Sequence, residues 1–497
     1  MIKSLIYKVL LVIIFITTSS CNKWLDVKPQ DGLVRQDFWK TKEQLESAVI
    51  GVYVTLVENT VVNQLFKWGE LRADLVKIAP SPGKPSVDER AFAEGNILST
   101  NSLADWSNIY RVINNCNLVI DYGPTVRDVD PTLKLEELNN KLAEVRTIRA
   151  LLYFYLLRTY GEVPLQLQGV SEDTQVVALP KSSEAQIFEQ IIADLKFAEE
   201  NALTDYGNPQ FNRGRITKYA VYALEADVYL WMDKYVEANE ACDKIISSGK
   251  FILEPGIPGQ FYQNLYETGN SYETIFAFQY SLERPNPFWG MFIAAAKPFM
   301  ASASGLENLF PSNPNDPTIQ DLRAGGVSYR EFDLSVWKYN GLDFEESKPA
   351  SESIANFIVY RYADVLLMKA EALAWIGGRG QEALDLINQV RVRASALDKS
   401  GQVPDLNSSS SVADYVFAER GREFAFEGKR WFDILRYAKR NNYANMETLV
   451  SLGTVNIPSN LQQSVSVKLL DKNSHYLPVP FRELQANKKL VQNPFYQ

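Results

Sequence analysis

Apolar residues return along this chain first at a helical spacing. In "TKEQLESAVIGVYVTLVE", Leu45, Ala48, Val49, Val52, Tyr53 and Leu56 recur every three or four positions, and Thr41 with Gln44 forms a capping-box pattern ahead of them. The spacing predicts an amphipathic helix. A second is predicted from about Leu103 to Ile120, and a third from about Glu136 to Tyr160, stopped by Gly161 and Pro164. A fourth covers about Ser183 to Asn201.

The stretch "TKYAVYALEADVYLWMDKYVEANEACDKIISSG" reads as helix, short turn and helix, ending at Gly249. Small Ala226 and Ala238 and bulky Tyr229 and Tyr235 fall where a tetratricopeptide hairpin needs them. Small side chains let two helices approach, and the rings fill the space beside them. A similar hairpin recurs at "ADVLLMKAEALAWIGGRGQEALDLINQVRVRA". There Ala370, Leu373 and Ala383 match Ala226, Tyr229 and Ala238 if the "GGRG" turn holds one extra residue. Two looser hairpins are expected from the earlier helices. Any amphipathic hairpin gives a related pattern, so the repeat alone leaves the architecture open.

From about 250 to 355 the texture changes to Pro, Gly, Asn and aromatics. "TIFAFQYS" predicts a short strand, and most of the rest reads as long ordered loops, which often carry function. After the polar "DLNSSSSVADY", with a cap at or near Ser411, one helix is predicted to hold "EFAFEGKRWFDILRY" (Glu423 to Tyr437). "YLPVPFRELQANKKLVQNPFYQ" closes the chain around a short helix.

Composition permits a large core: 46% of the 497 residues are hydrophobic. A formal net charge of −9 argues against a nucleic-acid partner, which needs a basic face. The first residues read as a signal, not as fold. Lys3 and Lys8 precede the apolar run Val9 to Ile16, and "TTSSC" sets small residues against Cys21. A plain secretory signal has the same design. The crowding against Cys21 favours a lipoprotein signal over residues 1–20, with Cys21 lipidated and anchored to a membrane and 21–34 as tether.

Few residues remain for metal or redox chemistry. Cys116 and Cys242 make no disulfide scaffold, and His475 is the single histidine. No phosphate-binding glycine loop, Cys-x-x-Cys or His-Glu-x-x-His occurs, so neither cofactor nor metal is expected. Acid-rich "DFEES" (Asp343 to Ser347) reads as a solvated loop.

"EFAFEGKRWFDILRY" is the first candidate for chemistry. Glu423, Glu427 and Asp433 could serve a glycosidase, which needs paired carboxyl groups. Arg422, Lys429, Arg430 and Arg436 surround them, with Glu427–Arg430, Lys429–Asp433 and Asp433–Arg436 at pairing distance along one helix. Such cations depress carboxyl pKa values, whereas a general acid needs the reverse. A structural ion-pair network of Glu423, Glu427, Arg430 and Asp433 is therefore expected, and no catalytic residue.

Aromatic loop residues are the second candidate. Sugar rings offer apolar C–H faces to Trp and Tyr, and their hydroxyls call for acids, amides and Arg. Trp68, Asp74, Trp289, Trp337 and Tyr339 form the candidate ligand set, with Phe92, Tyr272, Phe288, Glu70, Arg72 and Asn286 nearby in kind. Each aromatic could instead cover core under a long loop. Burial of Trp289, Trp337 and Tyr339 would favour a pure helical-repeat scaffold.

Eight stretches, in order, resemble the SusD/RagB outer-membrane lipoproteins of Bacteroidota. They are "CNKWLDVKPQD", "WSNIYRVINNCNLVID", "EVRTIRALLYFYLLRTYGEVPL", "GRITKYAVYALEADVYLW", "VYRYADVLLMKAEAL", "INQVRVRA", "FAERGREFAFEGKRWFDILRY" and "YLPVPFRELQANKKLVQNPFY". The resemblance implies a mostly α, SusD-like fold: four tetratricopeptide-like helix pairs against an irregular, loop-rich half with a few short strands. It implies a mainly helical part over 35–260 and a C-terminal part over 261–497. It also implies a lipid-anchored, outward-facing outer-membrane protein partnered with a SusC-like TonB-dependent transporter. Such proteins bind glycan for uptake and are not enzymes; the RagB branch handles peptides. Only Cys21 carries over by position, as the lipid site. "NKWLD" departs from the group, whose surface-export signals often carry more acids there.

Overall fold

The computed structural model describes residues 38–257, 260–310, 321–341, 346–396 and 403–497. Cys21, the signal, the tether and Asp343 lie outside them. The cap at Thr41 closes as its sequence requires, with Gln44 N–H on the Thr41 side chain, and opens α1 (Lys42–Leu56). After α2 (Asn59–Glu70) and strand β1 (Val76–Ile78) come α3 (Ser107–Val129) and α4 (Leu135–Tyr160). Helix α3 runs past the expected end at Ile120 and through Pro124. Gly161, at φ 72°, stops α4, a backbone state that glycine adopts at little cost.

A Ser183–Gln186 capping box starts α5 (Glu184–Asn201). The two best-formed hairpins follow the prediction: α6 (Lys218–Trp231) with α7 (Tyr235–Ile246), and α8 (Tyr362–Ile376) with α9 (Gly380–Arg393). Ala226, Ala238, Ala370 and Ala383 are fully buried, so these small side chains do sit where helices approach. Helix α4 packs on α3 and α5, α5 on α6, and α7 on α8, which makes a continuous stack of helix pairs. Gly377 and Gly378, both at positive φ, form the turn of the last pair.

The loop-rich half is less irregular than its composition predicts. It contains β2 (Thr274–Phe278), the short helix Phe288–Phe292, β3 (Phe299–Ala301), the short helix Ala303–Leu309 and β4 (Phe357–Arg361). Strand β1 pairs antiparallel with β3, and β2 with β4. One apolar core runs from Leu45 to Leu490, and a second joins α8, α9 and α10 (Ser409–Glu423). Ser408 caps α10, accepting from Ser411 N–H.

The expected single helix through Glu423 to Tyr437 is broken. Helix α10 ends at Glu423, and α11 begins at Arg430 (Arg430–Tyr443). Phe426 at φ 66° and Gly428 at φ 72° turn the chain between them. Glu423 and Glu427 are therefore not neighbours on one helical face.

Candidate functional site

The turn between α10 and α11 anchors three residues, Tyr266, Lys338 and Tyr339, that line a cavity of about 290 Å³. One side is Gln260, Tyr262, Gln263, Tyr266 and Glu267; the other is Trp337, Lys338, Tyr339 and Lys348. Tyr339 Oη donates to Phe426 O at 2.8 Å, and Lys338 Nζ donates to Ala425 O at 2.8 Å. Tyr266 Oη and Lys338 Nζ both donate to Glu427 Oε1, at 2.7 and 2.9 Å. Burial raises the Tyr266 and Tyr339 pKa values well above the ordinary range, so both remain neutral donors.

Glu427 is itself held from behind. Arg361 donates to its two oxygens, Nε at 3.1 Å and Nη2 at 2.9 Å. Arg361 also pairs with Glu423 and with Glu273, the latter at 2.7 Å. Arg323 and Arg393 complete the shell of Glu423. Burial alone would raise these carboxyl pKa values, but the guanidinium groups outweigh it. Glu427 is held down at about 2, and Glu423 well below the carboxylate range. Asp433 is lowered by Arg420 and Arg436 against the same burial, and Arg430 pairs with Asp74 at 2.7 Å. These acids are fixed anions, which does not suit a general acid.

Of the local pairs read from the sequence, Asp433–Arg436 forms, at 2.9 Å. Glu427 and Lys429 pair instead with residues remote in the chain: Glu427 with Arg361 and Lys338, Lys429 with Asp364.

The candidate ligand residues divide. Trp337 and Tyr339 meet in the cavity, although both are buried, at 3% and 2% exposure. Half-buried Trp289 stands beside it, its Nε1 donating to Lys348 O at 2.9 Å. By the criterion of burial, Trp337 and Tyr339 favour the scaffold reading; their place on a cavity wall is the opposing observation. Trp68 and Asp74 are corrected. Trp68 lies within α2, not in a loop, and its Nε1 donates to Leu103 O inside the core. Asp74 is fully buried against Arg430.

Four further residues are also placed away from open loops. Phe92 and Phe288 are core, Phe288 stacking on Tyr339 at 4.1 Å, and Asn286 donates to Ala355 O. Arg72 lies over Trp431 and donates to Ser474 O and His475 O.

Sequence reading missed Tyr262, Tyr266, Gln260 and Gln263. Tyr262 stacks on Tyr266 with ring centroids 5.4 Å apart, and its half-buried ring borders the cavity. "FYQNLYE" carried the signal: two tyrosines four apart with amides between, on what proves to be a short helical segment. Both cavity lysines are neutralised, Lys338 by Glu427 and Lys348 by Glu267, each at 2.9 Å. Among the described residues, no cluster of three metal-ligating side chains occurs.

Stacked helix pairs backing a loop-built aromatic cavity define a helical-repeat protein with a ligand-sized recess. Residues 260–496 match the SusD family, and residues 23–230 match a family described as "Starch-binding associating with outer membrane". The chain belongs to the SusD/RagB family. It is 26% identical to SusD-like protein P38 of Formosa agariphila over 96% of each chain. It is 27% identical to SusD-like protein P2 of the same organism, over 98% of this chain and 99% of that one. A SusD superfamily structure from Bacteroides vulgatus superposes with a TM-score of 0.75 at 21% identity, covering 92% of this chain and all of that one (100%). B. fragilis NanU superposes with a TM-score of 0.70 at 22% identity, covering 95% of this chain and 100% of that chain. These likenesses carry the fold.

Proposed function

We propose that this chain is a non-catalytic glycan-binding lipoprotein of the outer membrane. It is anchored through Cys21, faces outward, and passes oligosaccharide to a SusC-like TonB-dependent transporter. The family's description as starch-binding and outer-membrane-associated supports this reading. The observation that carries it is the stacked Tyr262–Tyr266 pair in a cavity rimmed by Gln260 and Gln263. Tyrosine faces offer stacking surface to sugar C–H groups, and amides both donate to and accept from hydroxyls. The cavity's paired lysines suit a neutral ligand. Import energy would come through the barrel.

Isothermal titration against oligosaccharides, malto-oligosaccharides included, and against a peptide panel tests the ligand class. Oligosaccharide binding that weakens in Tyr262→Ala is expected; binding of peptides alone would overturn the proposal in favour of the RagB-like reading. Binding of neither would favour the pure scaffold. New reducing ends after long incubation, lost in Glu427→Gln, would establish a hydrolase instead. Cys21→Ser is expected to release the protein from membranes, and pull-down of the tagged protein is expected to retain a TonB-dependent barrel.

A further inference from the structure

A second recess, where the helical half meets the loop-rich half, is built on different electrostatics. It is a groove of about 370 Å³ beside the start of α6, lined by Asp205, Asn212, Arg213, Tyr219, Lys250, Phe251, Ile252 and Tyr272 among others. Tyr272 is 68% exposed and Ile252 56%, so apolar surface stands open to water here. Tyr219 and Phe251 meet edge to face at 5.2 Å.

Two cations border these rings. The Arg213 guanidinium lies 4.9 Å from the Phe251 ring centre, and its Nε donates to Ser271 O at 3.0 Å. Lys250 Nζ lies 6.0 Å from the Tyr219 ring centre. Among the described residues, neither cation has a carboxylate at ion-pair distance. The one acid in the lining, Asp205, turns Oδ1 to Gly207 N–H and Asn212 Nδ2, each at 2.7 Å. The first cavity is the opposite case, because both its lysines carry a carboxylate partner. Burial pushes the Arg213 pKa down, against the weaker opposing pull of Tyr272 and Asp205.

A carboxylate-bearing sugar complements this groove. Its ring faces would stack on tyrosine, and its acid group would take the two-pronged guanidinium and the ammonium. We propose that the groove is a second saccharide site, selective for sugars that carry a carboxylate. Arg213 and Lys250 hold the acid group, and Tyr272 supplies the exposed stacking face. This inference does not depend on what the first cavity binds.

The test titrates the full mature chain with tetragalacturonate and with its methyl ester, which keeps the ring and loses the charge. Binding of the acid and not of the ester is expected. Exposed Lys250→Gln should weaken it by about tenfold, the loss of one charge-assisted contact, with melting unchanged. Tyr272→Ala should weaken it as well, and Tyr262→Ala in the first cavity should leave it intact. A Kd for the acid weaker than about 1 mM would overturn the proposal. Equal binding of the ester, an unaffected Lys250→Gln, or loss in Tyr262→Ala would do the same.

Discussion

Arg430 and Asp74 lie 356 residues apart in the chain and meet in a two-pronged ion pair, Nε to Oδ1 at 2.7 Å and Nη2 to Oδ2 at 2.8 Å. Both side chains are buried, so the pair ties the start of α11 to the segment after α2 inside the core. Asn456 adds to that joint by donating to Asp74 O at 2.9 Å.

Removing one partner leaves a buried charge unmatched. Arg430→Ala is expected to cost about 3–5 kcal/mol, read by chemical denaturation. Ligand affinity of the surviving folded protein should remain near wild type. A large loss of affinity with unchanged melting would move Arg430 from the fold to the ligand site.

Gly69 marks a second close approach at the same joint. A Cβ there would lie 1.8 Å from Gly428 O, a backbone atom on the turn with positive φ. Gly69→Ala is expected to destabilise by about 3 kcal/mol or more, because backbone cannot yield as a flexible side chain does. A melting temperature within experimental error of wild type would contradict that geometry.

Glu70 supplies a pH-dependent term. It is fully buried, and its Oε1 accepts Gly428 N–H at 2.8 Å and Lys429 N–H at 3.3 Å. Burial raises its pKa to about 8 against the opposing pull of these N–H groups. The unfolded carboxyl titrates near about 4.3, so the folded state holds the proton longer. Its contribution is full below that value and is lost as pH rises towards the folded pKa. Glu70→Gln keeps the amide oxygen as acceptor and cannot ionise. Relative to wild type, the variant should gain melting temperature from about pH 5 to about pH 8. A difference that stays flat across that range would refute the assignment.

Tyr262 and Trp337 separate binding from folding. Tyr262 is half-buried at the cavity edge, whereas Trp337 is 3% exposed beneath the Arg330 guanidinium, 4.3 Å from its ring centre. Tyr262→Ala is expected to weaken oligosaccharide binding about tenfold and to cost about 1 kcal/mol of stability. Trp337→Ala should cost about 3–5 kcal/mol, because it empties a packed position. Equal stability losses in the two variants would show that Tyr262 is core and not an open stacking face.

The amino-acid sequence by itself determined the helices and their pairing into hairpins. Thr41 with Gln44 and Ser183 with Gln186 close caps within three residues, and Ala226, Ala238, Ala370 and Ala383 mark close helix contacts. Backbone hydrogen bonds and helical faces repeat over three or four positions, so a short window of chain contains them. The sequence also marked Trp337 and Tyr339 as notable and "EFAFEGKRWFDILRY" as charge-matched. Tertiary structure decided the partners. It broke that stretch at Phe426 and Gly428, sent Arg430 to Asp74, and set Glu427 between Arg361 and the cavity wall. It withdrew Trp68 into the core and brought Tyr262 to the recess. Ion pairing and burial depend on which distant surfaces close on one another, and no local period records that.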